Sequence, residues 1–380
     1  MRKKFWKLHS WLGLVCGLGL LVIGLTGSVL VFHQEIAKTL HPDEVLNAPL
    51  SSDSQRLATS ELTTRVEKAF PDFWIRGWLF NTDSEYRDRA YLMKRDTDDW
   101  YVLYIDPYTA KTSERPLPYD ETIYGWFVRL HYTFFADHWG MGIAAFFALG
   151  YIILGVSGIY LHRPFFKALF RLRWGASARI LFSDIHKAVG IATVPMNLIL
   201  GITGAYWNIA HIAHELIEHA HEEEEPMANE YAGTTERIDS LSAIAEQSIP
   251  GYALNYIYFP TEEEPMFYLY GQHPGASSFR SLYGSTIWVS AETGEVTHSS
   301  DLREAGFWAQ VTDAFEPLHF GSFGGVTTQV LWCLAGLSPS ILSLSGTLIY
   351  IKRGRRKKGR RTATAQPSRP SQQRIPCETT

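Results

Sequence analysis

The sequence predicts an α-helical membrane protein, a four-span bundle made by internal duplication that carries two α+β modules on one side. Three observations predict it: four long uncharged stretches, short basic segments that all fall on one side of them, and a self-similarity with two recurring offsets.

The uncharged stretches are 11–32, 139–161, 188–209 and 326–351. Each is long enough to cross a hydrocarbon core of about 30 Å as a helix. Trp11, Trp139, Tyr160 and Trp207 stand near their ends as interfacial anchors. The basic segments are Arg2 to Lys7, the link from Arg163 to Lys187, and Lys352 to Arg361. The excess of Lys and Arg in short segments marks the cytoplasmic side, so both termini are expected there and the first span is read as a retained signal anchor.

The expected organisation is then an N-terminus and first span over 1–32, an outer module over 33–137, and a second span over 138–162. A basic cytoplasmic loop over 163–185 follows, then a third span over 186–209, a second outer module over 210–325, a fourth span over 326–351, and a basic disordered tail over 352–380. The net charge of −4 gives no reason to expect nucleic acid as a partner. Three cysteines, Cys16, Cys333 and Cys377, fall in spans or tail, so no disulfide framework supports the outer modules.

The duplication is legible in short stretches. "LTGSVLVF" from Leu25 echoes "ITGAYWNI" from Ile202, and Thr26 and Thr203 are 177 positions apart, as are His9 and His186. "SELTTRVEKAFPDF" from Ser60 resembles "DSLSAIAEQSIPGY" from Asp239, a helix ended by a proline. "WYVLYIDPYTAKT" from Trp100 matches "STIWVSAETGEVT" from Ser285, a strand running into a turn. "SGIY" at Ser157 and "SGTL" at Ser345 are 188 apart, as are His131 and His319. Both halves cross outward and return, so a pseudo-two-fold axis along the membrane normal relates them. That symmetry brings His9 to His186 on the cytoplasmic side and His131 to His319 on the outer side.

A single histidine at a membrane interface is usually an amphipathic anchor. Two symmetry-matched pairs, one near each face, are what two bis-histidine b-type haems stacked through the bilayer need as axial ligands. Gly13 follows His9 by four residues and Gly190 follows His186 by four, which leaves room for a flat macrocycle against the helix. Small-residue helix packing is the other reading of those glycines. Arg129 and Lys187 are candidate partners for propionates. His33 and His138 lie near the outer interface without a histidine counterpart at the matching offset, and rank second as ligands.

In "HIAHELIEHAHEEEE", His211, His214, Glu218 and His221 fall on one helical face and are candidate ligands for zinc or iron. A solvated acidic helix is the competing reading. The second outer segment is strongly acidic, with only Arg237, Arg280 and Arg303 as bases, which favours a cationic ligand over an anionic one.

The TG-bearing first and third spans, "SGIYLHRP", "SGTLIYIKR", and "LHSWLG" paired with "DIHKAVG" resemble the PepSY-associated transmembrane family over nearly all of Phe5 to Arg353. The resemblance implies PepSY-like outer modules in the periplasm, a multi-pass protein of the bacterial inner membrane, and kinship with haem-containing ferric-siderophore reductases. It implies a ferric siderophore as substrate. This chain has no Gly-rich nucleotide fingerprint and no flavin domain, so the electron donor is expected to be a separate cytoplasmic flavoprotein or a quinol. Two other classes stay open: a PepSY-type regulator that binds a partner without redox chemistry, and a siderophore or metal permease, for which Pro195, Asn197 and the Ser338-Pro339-Ser340 stretch would supply broken helices.

Overall fold

The computed structural model describes residues 1–49, 54–162, 171–219, 230–231 and 237–364. Three of its helical segments are long and apolar enough to cross a membrane: Asp137–His162, Ala178–His214 and Ser322–Arg353. Arg2–Val15 and Gly17–Leu30 make a fourth span when taken together, bent by 62° at Cys16. The bend has an identifiable cause. Gly13, Gly17 and Gly19 surround it, and the last span packs into the gap, its Ser343 and Ser340 hydroxyls donating to Gly17 O at 2.6 Å and Leu21 O at 2.9 Å. Adding a Cβ at Gly24 would put it 2.7 Å from Gly336 O, so the first and last spans touch backbone to backbone.

Two helices run beyond the uncharged stretches. Ala178–His219 begins inside the expected basic loop, and Ser338–Thr364 continues past the last span into the expected disordered tail. Lys and Arg are good helix formers, and a helix already nucleated in a span extends through them at little cost. The tail beyond Thr364 and residues 163–170 of the loop lie outside the described residues.

The two outer segments are joined. Strands β1 (Phe73–Leu79), β2 (Asp88–Lys94), β3 (Trp100–Ile105) and β4 (Leu117–Pro118) come from the first segment. Strands β5 (Ala253–Tyr258), β6 (Met266–Gln272), β7 (Ser285–Ser290) and β8 (Val296–Ser300) come from the second. They form one antiparallel eight-stranded sheet in the order β4-β3-β2-β1-β5-β6-β7-β8, which reads the same outward from the β1–β5 seam. At the seam Gly77 pairs with Tyr258 and Trp78 with Ile257. A Cβ on Gly77 would stand 2.0 Å from the Tyr256 hydroxyl, so that close approach requires glycine.

One face of the sheet is the apolar core. Helices Thr59–Ala69 and Leu241–Ser248 lay Leu62, Val66, Leu241 and Ala245 onto Trp78, Leu92, Leu103, Ile257, Phe267 and Ile287, all essentially solvent-free. The two helices are tied to each other, since Asp239 accepts hydrogen bonds from the Ser60 backbone amide at 2.9 Å and from the Ser60 hydroxyl. Strand alternation places Arg89, Tyr91 and Tyr104 on the opposite face, with Tyr256, Tyr258, Tyr268, Tyr270 and Trp288. Arg89 and Tyr104 of that face line a cleft together with Tyr124 of helix Ile123–Tyr132, which packs on the first span, so this is the face turned toward the bundle.

Candidate functional site: two histidine pairs in the bundle

His9 lies on the first span and His186 on the third. Their ring centroids are 6.3 Å apart with planes at 86°. His131 lies on helix Ile123–Tyr132 and His319 on the short helix Phe315–Phe320 ahead of the last span; their centroids are also 6.3 Å apart, with planes at 78°. A metal–imidazole nitrogen bond is about 2.0–2.1 Å and the nitrogen lies about 1.2 Å from the ring centroid, so two imidazoles that shared one metal would have centroids about 6.4–6.6 Å apart. Both pairs, at 6.3 Å, come within about 0.3 Å of that spacing.

Each ring is held by a hydroxyl at Nδ1. The partners are Ser157 Oγ for His9 at 2.8 Å, Ser345 Oγ for His186 at 2.9 Å, Thr26 Oγ1 for His131 at 2.9 Å and Thr203 Oγ1 for His319 at 2.6 Å. A hydroxyl has one hydrogen to donate. Ser345 donates its hydrogen to Ile341 O at 2.7 Å, Thr26 to Val22 O at 2.8 Å and Thr203 to Ile199 O at 2.8 Å, while Ser157 reaches Leu154 O at 3.2 Å. The hydroxyl therefore meets the ring as an acceptor, and the hydrogen-bond count assigns the ring hydrogen to Nδ1. Nε2 is then left with its lone pair in His186, His131 and His319, the form a metal-binding imidazole takes, and His9 has the same kind of partners with a longer Ser157–Leu154 contact.

A glycine follows each of these hydroxyls and makes room for the ring. An added Cβ would lie 3.6 Å from His9 Cε1 at Gly158, 3.4 Å from His186 Cε1 at Gly346, 3.6 Å from His319 Cε1 at Gly204, and only 2.8 Å from His131 Cε1 at Gly27. The repeated T-G and S-G pairs carry the signal for these eight residues, because they recur at the same 177 and 188 offsets as the histidines. Sequence reasoning noted the pairs without assigning them a ring. The glycines it singled out serve two ends. Gly13 and Gly190 line the cavity at the inner pair, and a Cβ on them would touch Leu154 at 3.6 Å and Leu342 at 3.4 Å, so helix packing uses them as well.

That cavity has a volume of about 720 Å³, within the range of roughly 300–1,000 Å³ usual for cofactor pockets. It is mostly apolar, with Leu14, Leu154, Ile191 and Leu342 on its walls, and it has a basic mouth of Arg2, Lys3, Lys187 and Arg353. Paired imidazoles, apolar walls and a cationic rim fit the axial positions, ring and carboxylates of a haem. Lys187 also sits 3.6 Å from Asp184. Arg129 is engaged elsewhere, bonded to Asp120 and to Asp137 at 3.2 Å.

At the other pair, Trp207 lies 5.0 Å from His319, and Glu316 stands one helical turn before it. Burial, with a smaller contribution from the Asp313 charge, pushes the Glu316 carboxyl up to about 7. The second-ranked histidines are placed apart from this arrangement. His33 bonds Leu30 O at 2.7 Å and packs on Tyr124, and His138 is exposed beside Trp139.

His211 and His214 are exposed on helix Ala178–His219; the Glu218 side chain and His221 lie outside the described residues. Among the described residues no group of three or more His, Cys, Asp or Glu could hold a bare metal ion. Cys16 is buried and Cys333 half-buried, both as free thiols, and Cys377 lies outside the described residues.

The sequence model of the family described as "PepSY-associated TM region" matches residues 6–353. An uncharacterized protein of Pseudomonas aeruginosa is 23% identical over 250 residues, which make up 60% of this chain and 62% of that relative. The match therefore spans less than two thirds of the relative's length.

Proposed function

We propose, from the premise that this chain belongs to the family of the PepSY-associated TM region, that it is a bacterial inner-membrane di-haem electron-transfer protein that reduces periplasmic ferric siderophores and releases Fe(II). The observation that carries the reading is the pairing itself: four histidines in two pairs with ring centroids 6.3 Å apart, each with Nδ1 2.6–2.9 Å from a hydroxyl.

Two b-type haems, when bound, supply one-electron centres on the two sides of the bilayer. His9 and His186 would hold the inner one and His131 and His319 the outer one. Ser157, Ser345, Thr26 and Thr203 fix the ring orientations and raise imidazole basicity, which favours the ferric state. The apolar walls exclude water from the inner site, and Arg2, Lys3, Lys187 and Arg353 supply positive charge at its mouth. In this reading the short basic segments lie in the cytoplasm with both termini, the sheet lies in the periplasm as two duplicated PepSY-like modules, and a separate cytoplasmic flavoprotein or quinol donates electrons. With a haem bound, His131 and His319 would hold the one-electron centre nearest the sheet, from which a chelated Fe(III) would take its electron. Fe(II) binds hard oxygen donors more weakly, so the metal is released. The sheet face rich in tyrosine, where the Arg76 guanidinium stacks 4.1 Å over Tyr258, offers a surface for the chelate.

The carbonyls at the bent first span count against a permease, because Gly17 O and Leu21 O are already bonded to serines and are not free for an ion. The test is direct. Purified protein should carry two haems, with His9→Ala or His186→Ala losing one and His131→Ala or His319→Ala the other. Mixed anaerobically after dithionite reduction with a ferric hydroxamate and an Fe(II) trap, the reduced haem absorption should decay as Fe(II) appears. All four variants retaining two haems would sink the ligation, and reduced protein that persists with every ferric chelate would sink the reductase.

A further inference from the structure

A second cleft of about 300 Å³ opens where the chain leaves the first span on the sheet side. His33, Gln34 and Ala37 come from the helix that starts immediately after that span, Thr122, Ile123 and Tyr124 from the helix that packs on it, and Arg87, Arg89 and Tyr104 from the sheet. Its charges are unevenly met. Arg87 stands just ahead of β2 and Arg89 is its second residue, and both line the cleft. Arg87 is 5% exposed; its Nε donates to Leu46 O at 2.9 Å, and its Nη1 is buried with no hydrogen-bond partner. Arg89 is half-buried and has no ion-pair partner among the described residues. Beside it in register stands Tyr104.

A buried guanidinium N–H without an acceptor loses its hydration for nothing unless a ligand supplies one. The carboxylates on the walls do not. Glu121 faces Arg115 at 3.7 Å, leaving Glu44 as the other acid in the lining, while Asp106, nearest behind Arg87, already accepts from the Tyr108, Thr109 and Ala48 amides. Three arginines against two glutamates make the lining one charge positive. That balance suits a monoanion with several acceptor oxygens. Ala37, Val45, Leu117 and Ile123 add an apolar shoulder, and the cleft lies beside the end of the first span.

We infer that this cleft binds the phosphodiester of a membrane phospholipid headgroup, with Arg87 and Arg89 as its charged donors, and so ties the sheet to the membrane surface. A phosphodiester carries one negative charge, forks onto guanidinium groups, and is delivered at this height by the bilayer itself. Free phosphate offers the same oxygens without the apolar part.

The experiment uses the full-length chain in detergent, delipidated and then titrated with short-chain phosphatidylglycerol or with inorganic phosphate, read by native mass spectrometry and thermal unfolding. Wild type should retain phosphatidylglycerol and unfold at higher temperature with it, and Arg89→Gln should weaken that binding at least about tenfold, the loss expected from one charge-assisted partner. Tyr104→Phe, which removes only a hydroxyl, gives a second reading if Arg89→Gln folds poorly, and should weaken binding less. Unchanged binding in both variants overturns the site. Equal stabilisation by inorganic phosphate at the same concentration overturns the lipid and leaves a free-anion site.

Discussion

The Ser157 hydroxyl lies 2.8 Å from His9 Nδ1 across 148 residues of sequence, and Ser345 stands in the same relation to His186. Neither hydroxyl reaches the cavity centre; each acts through the ring it holds. Replacing either by alanine removes the hydroxyl and leaves only the Leu154 or Leu342 carbonyl beside the ring, which should lower its basicity and weaken haem binding at that site by about 10–100-fold. The midpoint potential of the inner site should rise, since a less basic ligand favours the ferrous form. Ser157→Thr should restore the wild-type value, because threonine does the same work at the other pair. A potential in Ser157→Ala equal to wild type would show the hydroxyl to be a bystander.

The glycines that face the rings are not equivalent. A methyl group at Gly27 would sit 2.8 Å from His131 Cε1, inside contact distance, whereas at Gly204 it would sit 3.6 Å from His319, an ordinary contact. Gly27→Ala should therefore displace His131 and remove the outer haem, while Gly204→Ala keeps it. Haem content by pyridine haemochrome assay separates the two, and equal loss in both would mean that helix packing, not the ring, sets the requirement.

How much of this was legible in the chain depends on the kind of contact. The proximity of His9 to His186 and of His131 to His319 is what the equal offsets lead one to expect, since a symmetric repeat would set matching residues side by side. The hydroxyl partners were visible as repeats yet had no partner in sequence. Thr26 and His131 are 105 apart, and which helix faces which is decided by packing. The pairing of β1 with β5 was hidden for a related reason: an alternating strand announces its faces but not its edges. The bend at Cys16 rests on serines from the far end of the chain, and no local pattern around Gly17 encodes them.

Glu316 should give the His131–His319 pair a pH dependence. Its carboxyl stands at about 7 in the folded protein against an ordinary value near 4.5, so the folded chain binds the extra proton between those limits and stability falls as pH rises through that window. The new negative charge, one turn from His319, should also lower the outer midpoint potential between about pH 6 and 8. Glu316→Gln should flatten both dependences in redox titrations and unfolding curves taken across that range. A wild-type potential indifferent to pH would remove Glu316 from the site.

Sidedness is open to test at two points. A reporter joined after Thr380 should be active only where reporters work in the cytoplasm, and one inserted near Asn229 only where they work in the periplasm. The reverse pattern would invert the direction of electron flow.

The seam between β1 and β5 has a consequence for how the molecule comes into being. Trp78 meets Ile257 only after 178 further residues and two more membrane crossings have been made. Until then β1 stands as an open edge, unpaired on the side that will face its sister strand, beside apolar surface that its own half cannot cover alone. The seam can therefore close only after the third span has crossed, and its closure checks that the two halves have come out on the same side. A chain whose second hairpin of spans enters the bilayer wrongly keeps an exposed edge, and that edge marks it for aggregation or proteolysis before any cofactor is committed to it.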